Sequence, residues 1–150
     1  MPQSLVQNIH HTIFSTKEQI RWIEEEWEKD LFRQISWKMS KIDCTLLEVG
    51  GYHDHVHLLS IINRNLSLPE FVSKIKSYSS YWVHRNIPKK KKFAWQSGYS
   101  SFSVSRSNIP AVKKYIQSQR SRHGRQGFKD ELRALLDRNH VKYDERYIWG

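Results

Sequence analysis

The sequence predicts an α+β fold: a ferredoxin-like antiparallel sheet in the order β-α-β-β-α-β, with additional C-terminal helices. Two observations support this prediction. Short segments with apolar residues among polar ones, typical of strands, alternate with segments whose apolar residues recur every three or four positions, typical of helices. Gly, Pro and Asn separate these segments, and the resulting order matches a sheet with two helices on one face. The chain has 150 residues, a length typical of one domain, so we expect residues 1–150 to form a single domain.

The first four elements are predicted from residues 5–62. Residues 5–14 favour a strand, and residues 17–39 carry the apolar stripe of an amphipathic helix. Residues 45–49 and 54–62 favour two further strands, with Gly50-Gly51 as the turn that leads from one to the other.

The second half of the chain begins with a helix start signal. Ser67 and Glu70 are spaced as a capping box, and the helix that they open should end before Pro88. Beyond it we expect one or two strands in residues 93–104, broken at Gly98, a helix from 107 to about 123, stopped by Gly124, and a short amphipathic helix over 128–139.

The charge balance favours a polyanionic partner. The chain has 25 Lys and Arg against 15 Asp and Glu, a net charge of +10, which makes nucleic acid the leading candidate. No apolar run is long enough to cross a bilayer and no signal-peptide pattern is present, so we expect a cytoplasmic protein without a membrane partner, associated with the nucleoid when it acts on DNA. The single cysteine, Cys44, excludes an internal disulfide and a multi-cysteine zinc site.

Two histidines lie within the third predicted strand. Because side chains alternate along a strand, His55 and His57 should point to one face, while Val56 and Leu58 point to the core. Two imidazoles on one face can hold a divalent metal if a third ligand comes from elsewhere. The pattern alone is weak, since such pairs are more often surface or packing features.

Tyr115 and Gln119 lie four residues apart on the third predicted helix and therefore share a face. A glutamine carbonyl oxygen can bind a hard metal ion. A tyrosine oxygen one turn away could then attack a metal-polarised phosphate. By itself the spacing is weak evidence, because a tyrosine on an amphipathic helix more often packs in the core.

Together these motifs make the chain similar to the single-tyrosine HUH transposases of bacterial and archaeal insertion sequences. Five segments carry the resemblance, in the family's order and through nearly the whole chain: residues 11–17 (HTIFSTK), 54–59 (DHVHLL), 95–99 (WQSGY), 115–119 (YIQSQ) and 143–149 (YDERYIW).

The resemblance implies a role for each motif residue. His55, His57 and Gln119 would bind Mg²⁺ or Mn²⁺, and Tyr115 would be the nucleophile that takes the 5′ phosphate and releases a 3′ hydroxyl. The implied substrates are single-stranded DNA hairpins at the element ends, and the implied assembly is a homodimer with active sites shared between subunits. Many relatives have a His-His pair where this chain has Arg122-His123, so we assign that pair no ligand or catalytic role.

Basic residues around these motifs could form a DNA-binding surface. The candidates are Lys74, Lys76, Lys89, Lys90, Lys91, Lys92, Arg120 and Arg122, with Arg125 nearby. The alternative for residues 89–92 is a solvated loop. Trp95, Tyr99 and Phe102 could stack on unpaired bases, although core packing is the more common role of such residues.

Three other functions fit parts of the pattern. One is a related HUH nuclease of the repeat-associated, replication-initiator or relaxase type, although relaxases usually have a third His in the metal set, where Gln119 fits the transposases better, and are usually much longer. A non-catalytic nucleic-acid-binding module would explain the charge and the aromatic residues but not the motifs. A metal hydrolase that activates water would not need Tyr115 to cut.

Overall fold

The computed structural model describes residues 2–150 and shows an antiparallel four-stranded sheet with helices on both faces. The strands are β1 (Ile9–Ser15), β2 (Thr45–Tyr52), β3 (His55–Ile61) and β4 (Ser100–Ser103). The helices are α1 (Glu25–Lys41), α2 (Leu68–Asn86), α3 (Ile109–Gln117), α4 (Gln119–Arg122) and α5 (Phe128–Arg138). Short 3₁₀ turns lie at Lys17–Gln19 and Arg106–Asn108.

The sheet order confirms the ferredoxin-like prediction. The strands lie in the order β2-β3-β1-β4, and every pair is antiparallel. The α+β class and the central position of β1 and β3 therefore agree with the ferredoxin-like fold predicted from the sequence. Among the described residues, no helix combines the length and the apolar character needed to span a bilayer.

The main core lies between the sheet and the pair α1 and α2. Strand alternation directs Phe14, Val56 and Leu58 to this face, where they pack against the apolar stripes of both helices. Helix α2 begins at the predicted capping box: Ser67 Oγ accepts from the Glu70 N–H, and Glu70 Oε1 accepts from the Ser67 N–H, each at 3.2 Å.

The other face of the sheet is covered by α3, α4 and α5. Ile116 on α3 packs on Ile9 and Leu59, while α5 packs on Ile13 and Phe102 through the side chains Phe128, Leu132, Leu135 and Leu136. Both faces of the two central strands are thus buried, which explains why β3 is buried over nearly its whole length.

The first two elements begin later than the sequence predicts. The strand starts at Ile9 rather than at residue 5, and the exposed side chains of Leu5 and Val6 lie outside the sheet. The predicted helix over 17–39 starts at Glu25, because Glu18 and Gln19 have positive φ angles that no α-helix continues. The apolar periodicity of residues 17–24 therefore does not correspond to an α-helix.

Three further predictions need correction. Gly50 and Gly51 lie inside β2 rather than in a turn; the turn is at residues 53–54, and a Cβ on Gly51 would lie 2.3 Å from the His55 carbonyl oxygen. Residues 93–104 contain only the short β4, plus one bridge from Trp95 to Thr16. The helix predicted over 107–123 is interrupted at Ser118, whose hydroxyl donates back to the Tyr115 carbonyl oxygen at 2.7 Å.

Candidate metal and tyrosine site

Strand β3 places His55 and His57 side by side on the face covered by α3–α5. Both side chains are fully buried, and their ring centroids lie 5.2 Å apart. Val56 and Leu58 point to the opposite face, into the main core. Because both imidazoles are buried, their ring nitrogens need hydrogen-bond partners among the neighbouring side chains.

Helices α3 and α4 bring Tyr115 and Gln119 to the same place. Gln119 is almost fully buried, with its Oε1 2.8 Å from His55 Nε2. Tyr115 is partly buried, and its ring lies edge-on to the His57 ring at a centroid distance of 5.8 Å. The interruption at Ser118 therefore does not separate the two residues, and all four motif residues meet in one cluster.

Sequence reasoning missed the centre of this cluster, Glu131 on α5. Its Oε1 accepts from His123 Nε2 at 2.8 Å and lies 3.4 Å from His57 Nε2. Its Oε2 accepts from Gln119 Nε2 at 2.7 Å and from the Tyr115 hydroxyl. The sequence feature that could have identified Glu131 is a carboxylate on the apolar stripe of α5, between positions 128 and 132.

Partners behind the two imidazoles fix how they are oriented. Asp54 Oδ1 lies 2.8 Å from His55 Nδ1, and His11 Nε2 lies 2.8 Å from His57 Nδ1. Such partners leave the two Nε2 atoms directed into the cluster, as is usual for histidines that bind metals.

The polar atoms of the cluster fit a cation. His55 Nδ1 faces an oxygen of Asp54 and His55 Nε2 faces the amide oxygen of Gln119. A neutral imidazole has only one N–H and cannot donate to both oxygens. The Gln119 amide is fixed in this orientation, because its nitrogen donates to Glu131. A cation held by His55 Nε2 and Gln119 Oε1 would satisfy both atoms. His55, His57 and Glu131 also bring one ligand atom each within 4.8 Å of one another.

Burial and hydrogen bonding set the charges in the cluster. Burial would raise the pKa of the Glu131 carboxyl, but hydrogen bonds from His123 and His57 hold that pKa well below its usual range. Burial lowers the pKa of His57 to about 4 and that of His11 to about 3. Burial and the neighbouring Glu131 raise the pKa of the Tyr115 hydroxyl. At neutral pH the cluster thus holds an anionic carboxylate, neutral His57 and His11, and a protonated phenol.

A groove reaches Tyr115 from the surface between β4, α3 and α5. Its volume is about 290 Å³, and Asn108, Arg138 and Asn139 supply polar groups to its wall. On another side, the guanidinium of Arg122 lies 4.5 Å from the centre of the Tyr115 ring. A cation over the ring stabilises negative charge on the phenol oxygen.

The basic residues predicted to bind DNA fall into two groups. Four have exposed side chains: Lys74, Lys89, Lys91 and Lys92. The other four interact within the protein: Lys76 donates to the carbonyl oxygens of Gln96 and Gly98, Lys90 pairs with Glu24, Arg120 pairs with Glu25 and Glu28, and Arg122 lies over Tyr115.

The aromatic candidates pack inside the protein. Trp95 and Phe102 are buried, and the Trp95 indole N–H donates to Ser79 Oγ at 2.9 Å. Tyr99 is partly buried against the main core. Core packing, the alternative to base stacking, is therefore the role of Trp95 and Phe102.

The comparisons with known proteins decide the family. Residues 4–119 match the family model described as "Transposase IS200 like". The chain belongs to the IS200-like transposases. The match contains His55, His57, Tyr115 and Gln119 and ends before Glu131.

Individual proteins agree with this assignment. The chain is 29% identical over 96 residues to the ISDra2 transposase TnpA of Deinococcus radiodurans. That alignment covers 61% of this chain and 66% of the relative, so the chain spans just under two thirds of the relative's length.

Two solved structures share the fold. The first is a proposed transposase from Deinococcus radiodurans R1, with a TM-score of 0.64 and 21% identity over 79% of this chain and 98% of that one. The second is a REP-associated tyrosine transposase bound to a REP hairpin, with a TM-score of 0.60 and 11% identity over 83% of this chain and 73% of that one. Both support the α+β architecture described above.

Proposed function

We propose that this transposase cleaves and rejoins single-stranded DNA at insertion-sequence ends through a covalent 5′-phosphotyrosine at Tyr115. One observation carries the proposal: the phenol, the Nε2 atoms of His55 and His57 and the Gln119 carbonyl oxygen converge in one cluster that fits a cation. Family membership supplies the reaction class, and the cluster supplies the groups that the reaction needs.

The residues divide the chemistry between them. Mg²⁺ or Mn²⁺, held by His55, His57 and Gln119, would supply Lewis-acid polarisation of the scissile phosphate. The Tyr115 oxygen attacks phosphorus and loses its proton to water, and the bond from phosphorus to the 3′ oxygen breaks as that oxygen takes up a proton from water. In the reverse sense, a 3′ hydroxyl attacks the phosphotyrosine and restores a phosphodiester. No high-energy cofactor is required, because each step exchanges one phosphate ester for another.

The exposed lysines support a polyanionic substrate, which we propose is single-stranded DNA. Lys74, Lys89, Lys91 and Lys92 can hold backbone phosphates without reading sequence. The groove provides a route for a strand to Tyr115. Since a structurally similar protein was solved with a REP hairpin, we propose hairpins at the element ends as the ligand. The homodimer belongs to the same proposal and can be tested by analytical ultracentrifugation. Within one chain Tyr115 already lies beside His57, so sharing of sites between subunits needs its own test: adduct formation by a mixture of Tyr115→Phe and His57→Ala, each inactive alone.

A denaturing gel tests the reaction. The protein is incubated with Mn²⁺ and labelled single strands from both flanks of its own gene, beside Tyr115→Phe, His57→Ala and EDTA controls. We expect a slowly migrating protein–DNA adduct from one strand, absent in all three controls, while Tyr115→Phe still binds the strand in a native gel. Metal-dependent cutting by Tyr115→Phe would instead indicate a water-activating hydrolase. Binding without cutting would indicate a nucleic-acid-binding module.

A further inference from the structure

Glu131 is the most highly connected polar side chain in the candidate site. Its carboxylate is 2% exposed, and two of the groups around it, His57 and His123, face the same oxygen, Oε1. Gln119 and Tyr115 donate to the other oxygen, Oε2. No lysine or arginine forms an ion pair with this carboxylate among the described residues. Hydrogen bonds alone therefore stabilise the buried carboxylate, and a cation beside it would add a positive charge that no lysine or arginine supplies.

The position of Oε1 matches that of a metal ligand. It lies 3.5 Å from His55 Nε2 and 3.4 Å from His57 Nε2, the two proposed imidazole ligands. Ligand atoms at about 2.1 Å from one divalent cation lie roughly 3.0–3.4 Å apart, depending on the coordination geometry. The distances from Oε1 to the two nitrogens are therefore close to those expected around one shared cation, and the three ligand atoms all lie within 4.8 Å of one another.

The donor chemistry points the same way. Two imidazoles and an amide carbonyl are all neutral, and such a set gives a hard cation no charge compensation. Carboxylate oxygen is the preferred ligand of Mg²⁺ and Mn²⁺. Glu131 would supply the missing negative charge to the cation, and the cation would supply the missing positive charge to Glu131.

We propose that Glu131 links the metal to the nucleophile: its Oε1 is a further metal ligand, and its Oε2 positions the Tyr115 hydroxyl. The metal half of this proposal rests on the metal site of the proposed function. The positioning half rests on the hydrogen bond from Tyr115 to Glu131. The structure thereby assigns α5, which lies beyond the residues that match the family model, a direct part in the site.

Metal affinity tests the first half without measuring catalysis. The dissociation constant of Mn²⁺ is measured by electron paramagnetic resonance on the full chain, for wild type, Glu131→Gln and Asp130→Asn. Asp130 is the matched control, since it neighbours Glu131 on α5 but is solvent-exposed and pairs with Arg133. We expect Glu131→Gln to bind Mn²⁺ about 10–100-fold more weakly, and Asp130→Asn to bind like wild type.

A loss of folding would mimic this result, so two further measurements accompany it. Circular dichroism of each metal-free variant establishes that it is folded. Glu131→Asp keeps the charge on a shorter side chain, and we expect it to bind Mn²⁺ more tightly than Glu131→Gln. If folded Glu131→Gln binds Mn²⁺ as tightly as wild type and Asp130→Asn, the carboxylate is not a ligand and the proposal fails.

Nuclear magnetic resonance tests the second half. In protein labelled with ¹³C at tyrosine Cζ, the Tyr115 signal is assigned by its absence in Tyr115→Phe. We expect Mg²⁺ to shift this signal in wild type and to leave it nearly unchanged in Glu131→Gln. An equal shift in both proteins would overturn the link.

The outcomes separate this proposal from the proposed function. If His57→Ala loses Mn²⁺ while Glu131→Gln keeps wild-type affinity, Glu131 is not a ligand, but the transposase chemistry at Tyr115 stands. If His57→Ala also keeps wild-type affinity, the metal site of the proposed function fails first.

Discussion

Replacing Gly50 with alanine would push α3, the helix that carries Tyr115, away from the sheet. Gly50 lies on β2 opposite His57, directly under α3, and a Cβ built on it would lie 2.5 Å from the Ile116 carbonyl oxygen and 2.8 Å from Ile116 Cγ2. The backbone oxygen cannot rotate away, as a side chain could. The absence of a side chain at residue 50 is therefore what allows Ile116, next to Tyr115, to approach the strand.

The expected effect follows from the overlap. The Cβ would be about 0.9 Å too close to the carbonyl oxygen, so α3 must move by a similar distance. Overpacking of this kind costs about 1–3 kcal/mol of unfolding free energy, or a fall in Tm of roughly 3–9 °C for a chain of this size. A displacement near 1 Å of the nucleophile can lower the rate of adduct formation by roughly 100-fold.

Single-turnover adduct formation with a labelled single strand measures this effect, beside a thermal melt and a native binding gel. Gly127→Ala is the matched control, because a Cβ there meets no atom within 4 Å. We expect Gly50→Ala to bind DNA normally and to form adduct far more slowly, with Gly127→Ala near wild type. Adduct formation by Gly50→Ala within threefold of wild type would refute the argument that this contact positions Tyr115.

Three further predictions concern stability and binding. Without metal, Tm should fall by several degrees between pH 6.5 and pH 5, because burial lowers the pKa of His11 to about 3 and the unfolded chain binds a proton there that the folded chain excludes. The fall should be less steep in His11→Gln, and an equal dependence of Tm on pH in this variant and in wild type would contradict the prediction. Lys76→Gln should lower Tm, because it removes ammonium hydrogen bonds to three backbone carbonyls. Lys89→Gln, Lys91→Gln and Lys92→Gln should instead weaken DNA binding at unchanged Tm, and the opposite pattern would reverse these roles. A plot of the logarithm of the affinity for a single strand against the logarithm of the salt concentration should have a slope of about −0.7 per phosphate contact. A slope near zero would exclude phosphate contacts by the exposed lysines.

Periodicity predicted the elements better than it predicted their limits. The predicted helix over 17–39 includes Ile20 and Ile23, yet α1 starts only at Glu25, and Ile20 is exposed. Ile23 is buried in the main core although it lies outside α1, in a segment whose backbone is held by a hydrogen bond from the Ile23 N–H to the His53 carbonyl oxygen. Apolar spacing reports burial, and an irregular segment that packs on a sheet can be as buried as a helix.

Local sequence determined the features that depend on neighbouring residues. The capping box of Ser67 and Glu70 and the alternation of His55 and His57 with the core side chains of β3 require only a few consecutive positions, and the structure shows both. The five motifs were also sufficient to indicate the family, since each is a short segment of the chain.

Only the tertiary structure decided the contacts between distant residues. Glu131 meets His57 across 74 positions of the chain, and Gly50 meets Ile116 across two strands and one helix, α2. It also decided that Lys76 donates to its own backbone and that Trp95 packs inside, although both were plausible DNA contacts. The physical reason is that a charge or an aromatic ring has the same local pattern whether its partner is DNA or the protein itself, and the folded chain fixes which partner is within reach.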